Sequence, residues 1–201
     1  MIKIFLCLLF AAPAFAQHQM HDMKNMHHEQ HTSKNIFIEQ MDTMMMYMDT
    51  VKQTNKTDVD FLKLMMPHHK GAVGMAEYEV DHGKNNEMIQ LAKGIIAEQQ
   101  IEIQMMKNLL SSQLSIEAHN DLSKDWAATM NTMMKDMPKE TKLKNIDMAF
   151  AKVMLPHHQA GIDMAKVLLQ HGNEHAVKRM AESIISSQQI EIEQMKHYIN
   201  N

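Results

Sequence analysis

The chain has 201 residues, with 20 Lys and Arg against 24 Asp and Glu, giving a net charge of -4. This balance argues against a nucleic-acid-binding protein, whose affinity depends on neutralising phosphates. Few aromatic residues, four Pro and six Gly argue against a turn-rich β-sandwich, whereas abundant Met, Lys, Glu, Gln and Ala predict an all-α protein.

The first 16 residues have the pattern of a secretory signal peptide, cleaved after Ala16. A lysine precedes an apolar run from Ile4 to Phe10, and small residues precede the predicted cleavage site. No membrane span is expected in the mature chain, because this run is too short and no later segment is long and uncharged enough. The protein is therefore expected to be periplasmic or secreted. The only cysteine, Cys7, lies in this segment, so no disulfide or thiolate site is expected afterwards.

Residues 17–34 form a Met/His-rich segment that lacks large apolar residues. Because no core can form from it, we predict a disordered arm that captures metal loosely. An expression tag is the alternative, and the methionines scattered among the histidines argue against it. The candidate ligands of the arm are His18, Met20, His21, Met23, Met26, His27, His28 and His31.

The rest of the chain contains two copies of one unit, at residues 35–110 and 111–201, related by an offset of 89 residues. Such a duplication predicts two similar units that pack face to face about a pseudo-twofold axis. In each copy, apolar residues recur every three or four positions, which is typical of helices. We predict leading helices over 35–51 and 116–136.

A break at residues 81–86, and its counterpart in the second copy, divides the following apolar pattern into two long helices. The two copies thus predict four long helices in a ferritin-like bundle, to which the two leading helices are added. Pro67 and Pro156 fit two interpretations: each either opens its helix at the first position or kinks a helix that has already begun.

Each copy carries a pair of adjacent histidines among methionines on one face of its helix. The fold-back near Gly83 is expected to place Met65 opposite Glu102, and His69 opposite Glu98 or Gln99. Glu102 and Glu191 are either solvated helix charges or groups that orient a ligating histidine. The candidate metal ligands are Met65, His68, His69, Met75, His82, Glu102 and Met106, and in the second copy Met154, His157, His158, Met164, His171, Glu191 and Met195.

Thioether sulfur is a soft, neutral ligand that selects Cu(I), and copper in either oxidation state accepts imidazole. Met and His without Cys therefore indicate copper, with Cu(I) favoured and Ag(I) as a competitor. Methionine also fills helical cores, so a second group is predicted to serve packing rather than ligation. This group comprises Met41, Met44, Met45, Met48, Met130, Met133, Met134 and Met137.

The segment Phe61–Ala76, together with residues 99–102 and Met106, resembles the domain-of-unknown-function 305 family, and both copies match over about residues 35–200. The resemblance implies a helical, ferritin-like bundle with a Met/His-rich terminus that binds copper and confers copper tolerance. It implies ligands at Met65, His68, His69, Met75 and Met106 and their second-copy partners. Since Gly71 and Gly74 align with Ala160 and Asp163, the two sites are not required to have equal affinity.

These observations together predict a non-enzymatic protein that sequesters, buffers or ferries Cu(I), with a copper exporter or another periplasmic copper protein as candidate partner. One alternative is a ferritin-like metal oxidase, which needs a Glu-x-x-His motif from each of two helices. Only Glu79–His82 fits that motif, because Leu168 stands where the second copy would need a glutamate. The other alternative is a Met-rich, chaperone-like binding surface.

Overall fold

The computed structural model describes residues 35–112, 121–139 and 143–201, and within these ranges the regular elements are all α-helices. The all-α prediction is confirmed. The predicted signal peptide and the Met/His-rich arm, including all eight candidate ligands from His18 to His31, lie outside the described residues. The helices are α1 (Ile36–Asp49), α2 (Thr57–His82), α3 (Asn86–Ser111), α4 (Ser123–Asp136), α5 (Ile146–His171) and α6 (His175–Asn200).

The four long helices form a bundle made of two hairpins. In each hairpin the two helices pack along each other, α2 with α3 and α5 with α6. The hairpins meet mainly through α2 and α5, and α3 also contacts α6. The short helices cover the outside, α1 on α2 and α4 on α5, so α2 and α5 are the central helices. None of the described helices has both the length and the apolar character required to cross a bilayer.

Asparagine side chains start three of the helices. Asn35, Asn85 and Asn145 each accept a hydrogen bond from a backbone N–H in the first turn that follows. The second leading helix corrects the prediction, because α4 begins at Ser123 and not near Ile116. Residues 121 and 122 are not helical, and the Asp121 carboxylate accepts the N–H of Ser123 at this turn. A local side-chain bond of this kind competes with helix.

Both prolines lie inside long helices, Pro67 in α2 and Pro156 in α5. The interpretation as a first helical residue was therefore wrong. A proline inside a helix lacks the N–H that would bond four residues back, so the carbonyls of Lys63 and Lys152 lose that partner. In both repeats this gap in the backbone hydrogen bonding directly precedes the histidine pair.

The methionines predicted to serve packing lie in or against the apolar core. Met44 packs so closely on α2 that a Cβ at Gly71 would lie 3.0 Å from its Sδ atom. Glycine at this position therefore lets α1 approach α2. The buried members of the group are Met41, Met44, Met48, Met130 and Met133, and the partly buried ones are Met45, Met134 and Met137.

The repeats are interlocked by two buried aspartates that stand at equivalent positions. Asp58, in the first turn of α2, accepts the backbone N–H groups of Asn173 and Glu174 at distances of 3.0 and 3.1 Å. Asp147, in the first turn of α5, accepts those of Lys84 and Asn85 at 2.8 and 2.7 Å. Each repeat therefore caps the return helix of the other, and we expect both repeats to unfold in a single transition.

Replacing Asp58 by alanine is expected to lower the free energy of unfolding by about 2 kcal/mol, because two N–H groups at the start of α6 lose a charged acceptor. Urea unfolding followed by circular dichroism measures this loss. Asp163→Asn is the control, since it removes only an exposed ion pair with Lys166, a contact worth less than about 1 kcal/mol. A loss no larger than that of the control would contradict the interlocking role.

Candidate metal centre

Four histidines meet where α2 crosses α5, and all four are fully buried. The rings of His68 and His157, one from each repeat, lie in contact with centroids 3.9 Å apart and planes inclined by 30°. The second ring of each pair lies further out, His69 at 6.3 Å from His68 and His158 at 5.9 Å from His157. The tertiary structure thus joins the two sequence motifs into one central cluster.

Glu102 and Glu191 hold the outer histidines. Nε2 of His69 lies 2.8 Å from Oε2 of Glu102, and Nε2 of His158 lies 2.8 Å from Oε2 of Glu191. A carboxylate only accepts hydrogen bonds, so each Nε2 carries a proton, and in the neutral imidazole Nδ1 keeps a free lone pair. Both glutamates are buried, at 6% and 8% exposure, so they are not solvated helix charges.

The expected facing of the hairpin was wrong by about one helical turn. His69 faces Glu102, the residue expected opposite Met65, and not Glu98 or Gln99. The turn occupies residues 83–85, so it starts at the assumed fold-back at Gly83 and extends two residues past it. A later turn and the mutual rotation of the two helices both change which residues face each other.

The central pair is held in the neutral form. Burial lowers the pKa of His68 well below 6.5, and the neighbouring His69 and His158 lower it further. Burial likewise lowers the pKa of His157, with further lowering by the other three rings. Nε2 of His157 donates to the backbone carbonyl of His68 at 3.1 Å. Its Nδ1 atom therefore also keeps its lone pair.

Most of the unsatisfied polar atoms in the described interior belong to this cluster and to two adjacent glutamines. Both ring nitrogens of His68 and the Nδ1 atoms of the other three histidines have no hydrogen-bond partner. Gln99 and Gln188 each have an unpartnered amide oxygen and nitrogen. Nine of the thirteen such atoms in the described residues thus lie in six side chains, a concentration that calls for a ligand.

The two glutamines are functional candidates that the sequence analysis did not select as ligands. Gln188 lies one turn before Glu191 on α6, and its Oε1 atom packs against Gly161 in the space that a Cβ would occupy. Gly161 itself follows the His157–His158 pair by one turn of α5. Each glutamine lies three residues before the glutamate that holds a histidine, so the two side chains share one helix face. This spacing could have identified the glutamines from the sequence.

The predicted methionine ligands are all buried in the core, each with 0% exposure. Within residues 35–112, 121–139 and 143–201, no three His, Cys, Asp or Glu side chains could hold a metal ion by themselves. Methionine sulfur or amide oxygen would therefore have to complete a site here. The ligand role remains a prediction for Met65, Met75, Met106, Met154, Met164 and Met195.

Two of the predicted histidines lie apart from the cluster. His82 and His171, at the C-terminal ends of α2 and α5, are exposed. The ring of His82 stacks on Tyr78 with a centroid distance of 4.0 Å, and its Nδ1 lies 3.0 Å from the Tyr78 carbonyl oxygen. The structure therefore does not bring these two side chains to the buried rings.

The sequence and fold were compared with known proteins. A family model described as a domain of unknown function, DUF305, matches residues 12–110 and 112–199. No curated protein matches the sequence with statistical significance.

Several solved structures have the same fold. CopM in its Ag-bound, Cu(I)-bound and Cu(II)-bound forms is 28–30% identical, covering 72–75% of this chain and 97–98% of CopM, with TM-scores of 0.55–0.56. A DUF305 fragment from Deinococcus radiodurans is 20% identical, covering 72% of this chain and 95% of the fragment, with a TM-score of 0.53. Because two consecutive family matches span both repeats, the chain belongs to the DUF305 family as a tandem member.

Proposed function

We propose that this chain is an exported copper-binding protein that sequesters, buffers or ferries Cu(I) through methionine and histidine ligands. It acts by binding, without catalytic turnover, and contributes to copper tolerance. The observation that carries the proposal is the cluster of four buried histidines with five unpartnered ring nitrogens where the two repeats meet.

The chemistry of the cluster suits copper. A nitrogen lone pair must be unprotonated to bind a metal, and the lowered pKa values of His68 and His157 provide this at neutral pH. The glutamates that hold His69 and His158 fix the tautomer that leaves Nδ1 free. The surrounding core offers thioether sulfurs, which favour Cu(I) and Ag(I) over zinc.

The similarity to CopM supports the same metal, since CopM has been solved in silver, Cu(I) and Cu(II) forms. The N-terminal signal pattern supports export to the periplasm or beyond, where the Met/His-rich arm would add weaker copper capacity. A copper exporter or another periplasmic copper protein is the partner class that we propose for metal transfer.

The alternatives receive less support from the described residues. The oxidase hypothesis needs Glu79 and His82 at one centre, but Glu79 is buried whereas the exposed His82 stacks on Tyr78. A chaperone-like surface needs exposed methionines, and most of the methionines in the described helices are buried or partly buried in the core.

An anaerobic titration of the full chain against a Cu(I) chelator tests the proposal. We expect more than one tight Cu(I) equivalent, displacement by Ag(I), and no displacement by Zn(II), because thioether ligands discriminate against zinc. Replacing the five arm histidines by serine should remove weak equivalents only. Preference for zinc, or loss of all binding in the arm variant, would contradict the proposed copper site in the bundle.

A further inference from the structure

Two buried glutamines border the histidine cluster without any hydrogen-bond partner. Gln99 on α3 and Gln188 on α6 are each 1% exposed, and neither the oxygen nor the nitrogen of either amide is bonded. Each lies one turn before the glutamate that holds a histidine, so both amides occupy the helix face that carries Glu102 and Glu191.

Burying an amide without a hydrogen-bond partner costs free energy, because the group has lost its hydrogen bonds to water and gained none in the protein. A leucine of similar size would pack in the same space without that loss. The same unsatisfied amide occurs in both repeats, one helical turn from the glutamate that holds a histidine, and ring nitrogens of all four histidines are also unpartnered. This coincidence indicates a common ligand for the nitrogens and the amides.

We propose that Gln99 and Gln188 are additional copper ligands whose amide oxygens bind the divalent oxidation state. This inference rests on the proposed function. An amide oxygen is a hard ligand, and mixed nitrogen and oxygen ligands suit the tetragonal geometry of Cu(II). The thioethers of the core are soft and suit Cu(I). The cluster thus offers separate sets of ligands to the two oxidation states around shared imidazoles.

The two repeats differ in the space available to this amide. Gly161 allows Oε1 of Gln188 to lie against the backbone of α5, where a Cβ would overlap it. The equivalent residue of the first repeat is Ala72, whose methyl group occupies the corresponding position on α2. The methyl group of Ala72 excludes an equivalent position for Gln99, so we expect the second repeat to be the stronger Cu(II) site.

The test is the double variant Gln99→Leu/Gln188→Leu in the full chain, with the five arm histidines replaced by serine so that arm imidazoles do not contribute. We expect Cu(II) affinity, measured by competition with a chelator, to fall at least about tenfold, as for loss of a metal-supporting group. The oxygen contribution to the Cu(II) electron paramagnetic resonance spectrum should also be lost. Affinity for Ag(I), which does not use hard oxygen, should not change.

Unchanged Cu(II) affinity would overturn the inference, and so would an equal loss of Cu(II) and Ag(I), which would indicate a structural role. Failure of the parent chain to bind copper or silver at all would instead overturn the proposed function. Denaturant unfolding of the leucine variant confirms that it folds.

Two separate glycine-to-alanine variants provide a second, independent test. Gly161→Ala inserts a methyl group where Oε1 of Gln188 lies, so it should displace the amide and weaken Cu(II) binding severalfold. Gly94→Ala is the matched control, because a Cβ there meets no atom within 4 Å. Equal Cu(II) affinity in the two alanine variants would contradict the role of Gln188.

Discussion

Replacing the four central histidines is expected to abolish tight copper binding by the bundle. The variant combines His68→Leu and His157→Leu, which keep the stacked position apolar, with His69→Gln and His158→Gln, whose amides can still donate to Glu102 and Glu191. Loss of a group that only orients a ligand costs about 10–100-fold in metal affinity. Removing the imidazoles themselves should therefore lower Cu(I) affinity by more than about 100-fold.

Anaerobic competition with a Cu(I) chelator measures the loss, and circular dichroism during unfolding shows whether the variant folds. His82→Gln/His171→Gln is the matched control, since those side chains are exposed and lie apart from the cluster. The control should keep the affinity of the parent chain. If the fourfold variant does not fold, the leucine pair alone is compared with the same control. Unchanged stoichiometry and affinity in the folded variant would refute the site.

The second large effect concerns a buried carboxyl group at the end of α2. Glu79 is fully buried, and burial, together with the nearby carboxylate of Asp147, raises its pKa from 4.5 to about 8. Burial also acts to raise the pKa of Asp147, but the N–H groups of Asn85 and Lys84 outweigh it and lower that pKa. Glu79 therefore keeps its proton at neutral pH, whereas Asp147 is ionised.

The raised pKa makes stability depend on pH. Below pH 4.5 the folded and unfolded chains both hold this proton. Between pH 4.5 and about 8 only the folded chain holds it, so stability falls as pH rises, by about 1.4 kcal/mol per pH unit. The titration of Glu79 alone should lower the free energy of unfolding by on the order of 4 kcal/mol between pH 5 and pH 8. His68 and His157 act oppositely, because their lowered pKa values remove stability as pH falls below 6.5.

Glu79→Leu is the decisive variant, because the second repeat already carries Leu168 at this position, fully buried. We expect the variant to unfold at higher urea concentration than the parent at pH 8 and to show little advantage at pH 5. Subtracting the two pH profiles isolates Glu79 from the histidines. Leu168→Glu should have the opposite effect, as it places a second buried acid next to Asp58. Parallel profiles for parent and Glu79→Leu would show that Glu79 does not titrate as described.

The helices were predictable because apolar residues recur with helical spacing and the duplication repeats each element. Gly83 and Gly172 mark the ends of α2 and α5, and Asn85 marks the start of α3. The start of α4 was not predictable from periodicity, since the competing hydrogen bond from the Ser123 N–H to Asp121 is local and leaves no periodic signal. The sequence also could not decide whether Pro67 opens its helix or lies inside it, because that depends on where α2 begins.

The candidate centre was predictable in part. The paired histidines and the glutamates more than four turns after the break were identified from residue type and spacing. The pairing of His69 with Glu102 was not, because it depends on where the turn ends and on how the two helices are rotated. His82 shares a helix face with His68 by periodicity, but it lies four turns further along, where the bundle ends and solvent begins.

The amino-acid sequence alone determined the helical class, the duplication and the type of metal chemistry, because these follow from local spacing and from which side chains are present. Only the tertiary structure decided that the rings of His68 and His157 are in contact, that Asp58 and Asp147 cap the opposite repeats, and that both glutamine amides remain unpartnered. Each of these joins residues far apart in the chain, and side-chain packing between helices, rather than any pattern within one helix, sets such contacts.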